Sequence, residues 1–276
     1  MIKQIALGGL TFGPWSTGIT IDDHFGFDFP VVRTDIKDFG NADGAKLGSY
    51  LYGSRKMAIE GRIIGDDVSD FEAKRRSMQS ALNIRKGLQR AVITTQSGLI
   101  VRSDVILTEP MGMDYKQGEA IRCPFRLEMV APYPFLLGNE IKTNTIVSGE
   151  GGGGAVPSEI PFELTGADIS GNNVTNNGNT EANFTARIYG GVTNPVLRNA
   201  TTDEQLSITY ALDADDYIDL DFRLHTARLN DNLNVFQYVS GDWWKIQEGV
   251  NSLKLLGASF TGGYATVTFQ DHYLGI

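Results

Sequence analysis

Ala131-Pro132-Tyr133-Pro134 opens, and Pro157-Ser158-Glu159-Ile160-Pro161 closes, a stretch whose middle holds the glycine run Gly151-Gly152-Gly153-Gly154. Four of the nine prolines in the chain fall inside it, so proline bounds glycine on both sides. Proline fixes φ and removes a ladder donor while glycine loosens the backbone, so the stretch reads as two stiff exits around a flexible joint. The reading divides the 276 residues into a first domain over 1–135, a linker over 136–160 and a second domain over 161–276. Two cores of about 130 residues each fit this length better than one.

Charge falls unevenly across that joint. Residues 1–135 carry 17 Lys plus Arg against 16 Asp plus Glu, a net of +1, and residues 136–276 carry 7 against 17, a net of −10, which together give −9. The acidic half repels phosphate, which argues against nucleic acid or an anionic membrane as its main partner. No apolar run approaches the ~18 residues of a membrane span. The start, Met1 to Gly9, has too few apolar residues before its glycines for a signal-peptide core. Cys123 is the one cysteine, which excludes an internal disulfide and a Cys-based zinc site. Its alternation with Ile121, Phe125, Leu127 and Met129 favours a buried strand thiol over a reactive one.

In the first half, alternation predicts strands around Ile19–Ile21, Phe25–Thr34, Met57–Gly65, Ala91–Thr95, Leu99–Leu107 and Ile121–Val130, with Gln96-Ser97-Gly98 as a hairpin turn. Between them, Asp38 to Gly53 holds Gly40, Asn41, Asp43, Gly44, Gly48 and Gly53, and reads as a long mobile loop reaching toward a neighbour. One helix is predicted over Asp70–Lys86, opened by a Ser69/Glu72 capping box, with Phe71, Met78, Ala81 and Leu82 on one face and Gly87 as its stop. Its cations Lys74, Arg75, Arg76, Arg85 and Lys86 are balanced by Asp66, Asp67, Asp70 and Glu72, a solvated or subunit-facing surface in preference to a DNA reader. The half is therefore α+β, mostly antiparallel sheet with one helix.

The second half shows short candidate strands separated by turn residues, among them Phe162–Leu164, Phe184–Ile188, Gln205–Tyr210, Tyr217–Leu220, His225–Leu229, Asn234–Tyr238, Ser252–Leu256 and Ala265–Gln270. That pattern predicts a β sandwich or jelly-roll. Its chemistry is thin. Asp213, Asp215, Asp216, Asp219 and Asp221 lack the glycine and distal glutamate of a calcium loop. His24, His225 and His272 have no ligand spacing, and no Ser-His-Asp or Cys-His arrangement can be picked out, so no catalytic, metal or cofactor site is assigned. Trp243-Trp244 are adjacent, which on a strand sends one ring into the core and the other to solvent or an interface. An exposed tryptophan stacks on sugar, so the pair is the candidate carbohydrate contact.

The order of these features resembles the distal tail protein (Dit) family of long-tailed bacteriophages. In the first half the resemblance lies in Pro30-Val31-Val32-Arg33, Asp43-Gly44, Gly53-Ser54-Arg55-Lys56-Met57, Gly61-Arg62-Ile63-Ile64-Gly65, Arg76, Leu82, Phe125-Arg126-Leu127 and Ala131-Pro132-Tyr133-Pro134. In the second it lies in Asn177-Gly178-Asn179, Ala186-Arg187-Ile188-Tyr189-Gly190, Asn194-Pro195, Leu206-Ser207-Ile208, Ile218-Asp219, Trp244, Gly249-Val250-Asn251 and Thr266-Val267-Thr268-Phe269. The resemblance implies a ring-forming amino-terminal domain, six copies to a ring, and a galectin-like β sandwich outside it. It further implies contacts with the tail tube protein, the tail hub and receptor-binding proteins, no catalytic residues and no cofactor. It also implies a place in the virion at the tail tip, after assembly in the host cytoplasm. The competing functional readings are a carbohydrate-binding adhesin or tail-fibre module acting through Trp243 or Trp244, and, behind it, a glycosidase.

Overall fold

The computed structural model describes residues 1–113, 121–147 and 172–276. The chain is mainly β, its sheets are antiparallel, and one α-helix occurs among the described residues. It divides into two compact units. Unit 1 is Met1–Asn139 together with Tyr273–Ile276, and unit 2 is Glu140–His272.

The sheet of unit 1 runs Leu10–Phe12, Ile2–Leu7, Gln89–Thr95, Ile100–Leu107, Arg122–Ala131, Arg55–Ile64, Asp23–Phe25. Its longest ladder pairs Arg122–Ala131 with Arg55–Ile64 over ten unbroken partners, from Arg122↔Ile64 to Ala131↔Arg55. Alternation along both strands sends Met57, Ile59, Ile63, Cys123, Phe125, Leu127 and Met129 into the core. Cys123 is thus the buried strand thiol that its neighbours predict. Gly8 and Gly9, at φ +62° and +86°, make the two-residue turn that joins the first two strands, a left-handed conformation that residues with a Cβ rarely adopt.

The helix spans Val68–Ala81 and lays Phe71, Met78 and Ala81 against this core. Its start differs from the Ser69/Glu72 expectation. Asp67 is the cap, accepting from the Asp70 N–H at 2.8 Å, and Asp70 accepts in turn from the Asp66 N–H at 2.9 Å. The same three-residue spacing recurs two positions earlier, and the carboxylates there also face the positive end of the helix dipole. The helix also ends sooner than Lys86. Asn83 accepts from the Arg85 N–H at 2.9 Å and opens a separate 3-10 turn, Ile84–Lys86, which Gly87 closes.

Arg55 lies at 0% exposure in unit 1. Its Nε donates to the Pro134 carbonyl at 2.8 Å, Nη1 to the Gly26 carbonyl at 3.0 Å, and Nη2 to the Leu274 carbonyl. Burial pushes its pKa down to about 10, against the pull of Asp28. One guanidinium therefore ties together three segments distant in sequence. Residues 273–276 are seated further by Tyr273 and Ile276, which pack on the core, and by the Ile276 N–H donating to the Phe27 carbonyl at 3.3 Å.

Unit 2 has two main sheets around one core. A six-stranded sheet runs Lys142–Val147, Tyr264–Phe269, Phe184–Tyr189, Tyr217–Asp221, Thr226–Leu229, Leu233–Asn234. A five-stranded sheet runs Asn173–Asn176, Gly249–Leu256, Val196–Asn199, Glu204–Ile208, Val239–Gly241. Ala186, Ile188, Ile218, Leu220 and Val267 from the first sheet and Val174, Leu197, Leu206, Leu253 and Leu255 from the second meet in that core, with Phe184, Phe222 and Trp244 clustered among them.

The expected linker over 136–160 needs correcting. Its described part contains the strand Leu136–Gly138, in the sheet of unit 1, and the strand Lys142–Val147, in unit 2. The passage between units is complete before the glycine run is reached. Proline-bounded composition misplaced it because Lys142–Val147 buries Ile146 alone among its six residues and so lacks an apolar alternation. The run Gly151–Gly154, Pro157–Pro161 and the expected strand Phe162–Leu164 lie outside the described residues.

Candidate assembly surface

Val32–Asp38 and Ala45–Tyr52 form an antiparallel hairpin in which every residue is exposed. It is a two-stranded sheet with no third strand among the described residues. The expected mobile loop is therefore an arm. Gly40, Asn41, Asp43 and Gly44 make its tip, where the Phe39 N–H donates to the Gly44 carbonyl at 3.1 Å and Gly44 adopts φ +103°. Gly48 lies within the second strand, and Gly53 closes the base, its N–H donating to the Val31 carbonyl at 2.6 Å.

The register sorts the side chains of the arm into two unlike faces. Val32 pairs with Tyr52, Thr34 with Tyr50 and Ile36 with Leu47, so these six share a face. Arg33 with Leu51 and Lys37 with Lys46 share the other. The pairing shifts between Thr34 and Ile36, where Asp35 meets Gly48; a Cβ on Gly48 would fall 2.7 Å from Asp35 Oδ2. That bulge keeps Leu47 on the same face as Tyr50 and Tyr52, whereas a slip of one residue would turn it over. At the base, Tyr52 meets Phe135 edge-on at 5.6 Å between ring centroids.

Ile36, Leu47 and Tyr50 are about 60% exposed. An isolated two-stranded ribbon is marginal in water, and this one adds a row of uncovered apolar side chains and two open backbone edges. All three are features of a surface completed by another chain.

Other residues singled out by the sequence are scattered. Trp244 is 2% exposed and belongs to the core of unit 2, which removes it from the candidate carbohydrate contact. Trp243 is half-buried, with His225 stacked on it at 5.1 Å and Phe236 nearly parallel at 6.1 Å, so its ring is engaged within the protein. His24 lies beside Phe27 in unit 1. Asp213 and Asp216 shape a turn, with the Asp216 N–H donating to the Asp213 carbonyl at 3.0 Å, while Asp219 and Asp221 lie on the strand that follows. Among the described residues no group of His, Cys, Asp and Glu has the geometry to hold a metal, and no helix is long and apolar enough to cross a membrane.

His272 is buried, and burial pushes its pKa down to about 4; Arg223 and Lys245 add to the lowering, while the Gln270 carbonyl at 2.8 Å from Nδ1 and Asp271 oppose it. Between pH 6.5 and 4 the unfolded chain therefore takes up a proton that the folded chain refuses. Stability that is full above about pH 6.5 is lost as pH falls toward 4, by about 3 kcal/mol from this group. Urea unfolding of the wild type and His272→Gln at pH 7.5 and 4.5 measures it. The variant is expected to lose less stability across that interval.

The described residues thus form two units of antiparallel sheet, one of which carries an arm with an uncovered apolar face. Residues 176–273 match the family described as the siphovirus-type tail component, C-terminal domain, of the SPP1 Dit type. The fold is similar over 98% of both chains, at 12% identity and a TM-score of 0.66, to the crystal structure of the SPP1 Dit protein, described as a paradigm of the hub adsorption apparatus in phages that infect Gram-positive bacteria. A chain of the phage P2 baseplate in its calcium-activated conformation aligns over 97% of this chain at 10% identity, with a TM-score of 0.44. No curated protein matches the sequence. Residues 176–273 thus match the C-terminal domain of that tail-component family, and the fold along the chain is similar to that of the SPP1 Dit protein.

Proposed function

We propose that this protein is a structural part of a siphovirus tail tip, closing with five further copies into a ring that joins the tail tube to the hub and host-recognition apparatus. The arm carries this reading: its apolar face and open edges, exposed in the single chain, are what a neighbouring copy would cover. Identical arm-to-neighbour contacts are heterologous and close into a ring when the rotation between copies allows it. The family match and the Dit fold support the tail role. The partners in this reading are further copies, the tube protein, the hub and receptor-binding proteins, and the site is the virion. No catalytic step is assigned.

Native mass and negative-stain imaging test it, with Leu47→Lys and Tyr50→Lys as the diagnostic variants. The wild type is expected to form closed rings, alone or with purified tube or hub components. Each variant is expected to shift the population toward monomer at least about tenfold, as charging a buried apolar contact does, with the unfolding midpoint of unit 1 unchanged. A wild type that stays monomeric with those components, or variants that assemble normally, would overturn the reading.

A further inference from the structure

The outward face of the six-stranded sheet in unit 2 is ordered into rows by its register. Arg187 pairs with Thr266 on one side and Asp219 on the other, and Asp219 pairs with Arg228. Two residues along, Thr185 pairs with Thr268 and Asp221, and Asp221 with Thr226. On the opposite side of the charged row, Tyr189 pairs with Tyr217 and stacks on Tyr264 at 4.4 Å and 17°. A shallow groove of about 600 Å³ follows the charged and hydroxyl rows.

The charged groups of the groove are tied to one another. Asp219 receives Arg187 Nε at 2.6 Å and Nη2 at 2.7 Å, and the guanidinium also lies over the Tyr217 ring at 4.2 Å. Asp221 Oδ1 accepts the N–H groups of Arg223 and Leu224, each at 2.9 Å, which fixes that carboxylate on the turn. Arg228 is exposed, and its guanidinium has no hydrogen-bond partner among the described residues. Asp231, which accepts from the Tyr217 hydroxyl at 2.8 Å and lies 3.7 Å from Arg187, adds a third carboxylate, so the two arginines are more than balanced and an anionic ligand is disfavoured.

We propose that this face binds a neutral oligosaccharide, with the Arg187–Asp219 pair, Arg228 and the threonine row engaging its hydroxyls and the tyrosine row flanking its apolar edge. Planar guanidinium and carboxylate groups match vicinal hydroxyls in pairs, threonine hydroxyls both donate and accept, and ring faces cover C–H surface. The four strands span ~14 Å, room for roughly three sugar rings. The proposal uses none of the arm's features and stands apart from ring formation. It also moves the saccharide contact away from Trp243 and Trp244 to residues whose polar groups face solvent.

The full chain is titrated by calorimetry and by NMR with neutral trisaccharides of glucose, rhamnose and N-acetylglucosamine, and with a sulfated trisaccharide as the charged control. Saturable binding of at least one neutral probe is expected, with a Kd of about 1 mM or tighter. Arg228→Gln and Thr185→Val, both at exposed positions that do not touch the core, are each expected to weaken it at least about tenfold with unchanged unfolding midpoints. The proposal is overturned by the absence of saturable binding at about 10 mM. A preference for the sulfated probe, or affinity unchanged in the double variant, overturns it as well.

Discussion

Arg55→Met is expected to lower the unfolding free energy of unit 1 by about 5 kcal/mol, from three charge-assisted hydrogen bonds of roughly 1.5–3 kcal/mol each, less the cost of desolvating the charge they hold. Methionine fills the channel but leaves the Pro134, Gly26 and Leu274 carbonyls without their donor. Lysine keeps the charge and lacks the planar fork, so Arg55→Lys recovers part of the loss, leaving about 3 kcal/mol. Urea denaturation at pH 7 reads both. A loss under about 1 kcal/mol for the methionine variant would mean that the three carbonyls find other partners and that the guanidinium does not organise this region.

Gly190→Ala is expected to cost unit 2 about 4 kcal/mol, with a fall of about 15 °C in the midpoint of its thermal transition. The ideal Cβ at Gly190 lies 1.7 Å from the Asp213 carbonyl oxygen and 2.9 Å from that of Asp216. Both belong to backbone, so no side-chain rotation relieves the overlap. The Gly190 N–H also donates to the Asp216 carbonyl at 2.7 Å, which pins the turn in place. Any Cβ must push the turn away and break that bond. Gly191→Ala is a useful comparison, since the strain there comes from φ +83° and its nearest contact is a threonine hydroxyl at 3.1 Å. A Gly190→Ala midpoint within about 2 °C of the wild type would show that the turn yields freely.

The sequence made some of this legible through strong local signals. Residues 123 to 129 alternate cleanly and occupy the central ladder of unit 1, and the offsets of Phe71, Met78 and Ala81 identify the buried face of the helix. The cap was misassigned because Asp67/Asp70 and Ser69/Glu72 share one spacing, and only geometry shows which pair meets the backbone. Lys142–Val147, which buries one side chain, and Val196–Asn199, only four residues long, were missed altogether: they owe their place to pairing with Tyr264–Phe269 and with Gly249–Leu256, a nonlocal cause that a window of residues cannot contain.

The arm failed for a related reason. Gly40, Gly44, Gly48 and Gly53 outweighed Leu47, Tyr50, Leu51 and Tyr52, although two of the glycines serve the tip, one a bulge and one the base. Of the tryptophan pair, Trp244 lies in the core, but the ring expected at solvent or an interface, Trp243, is half-buried, because adjacency could not reveal that His225 and Phe236 engage it. The rows across the outer sheet of unit 2 were invisible for the same reason, because Arg187, Asp219 and Arg228 become neighbours only through register.

The return of residues 273–276 to unit 1 has a mechanical meaning. Unit 2 is spliced into unit 1 between Asn139 and Tyr273, so the chain passes between the units twice. A protease that nicks either passage leaves the other strand of polypeptide intact, and tension applied to unit 2 divides between two covalent routes. With Arg55 gripping Leu274, the second route ends in a buried anchor, and unit 2 is a loop held at both ends where a pendant would hang from one.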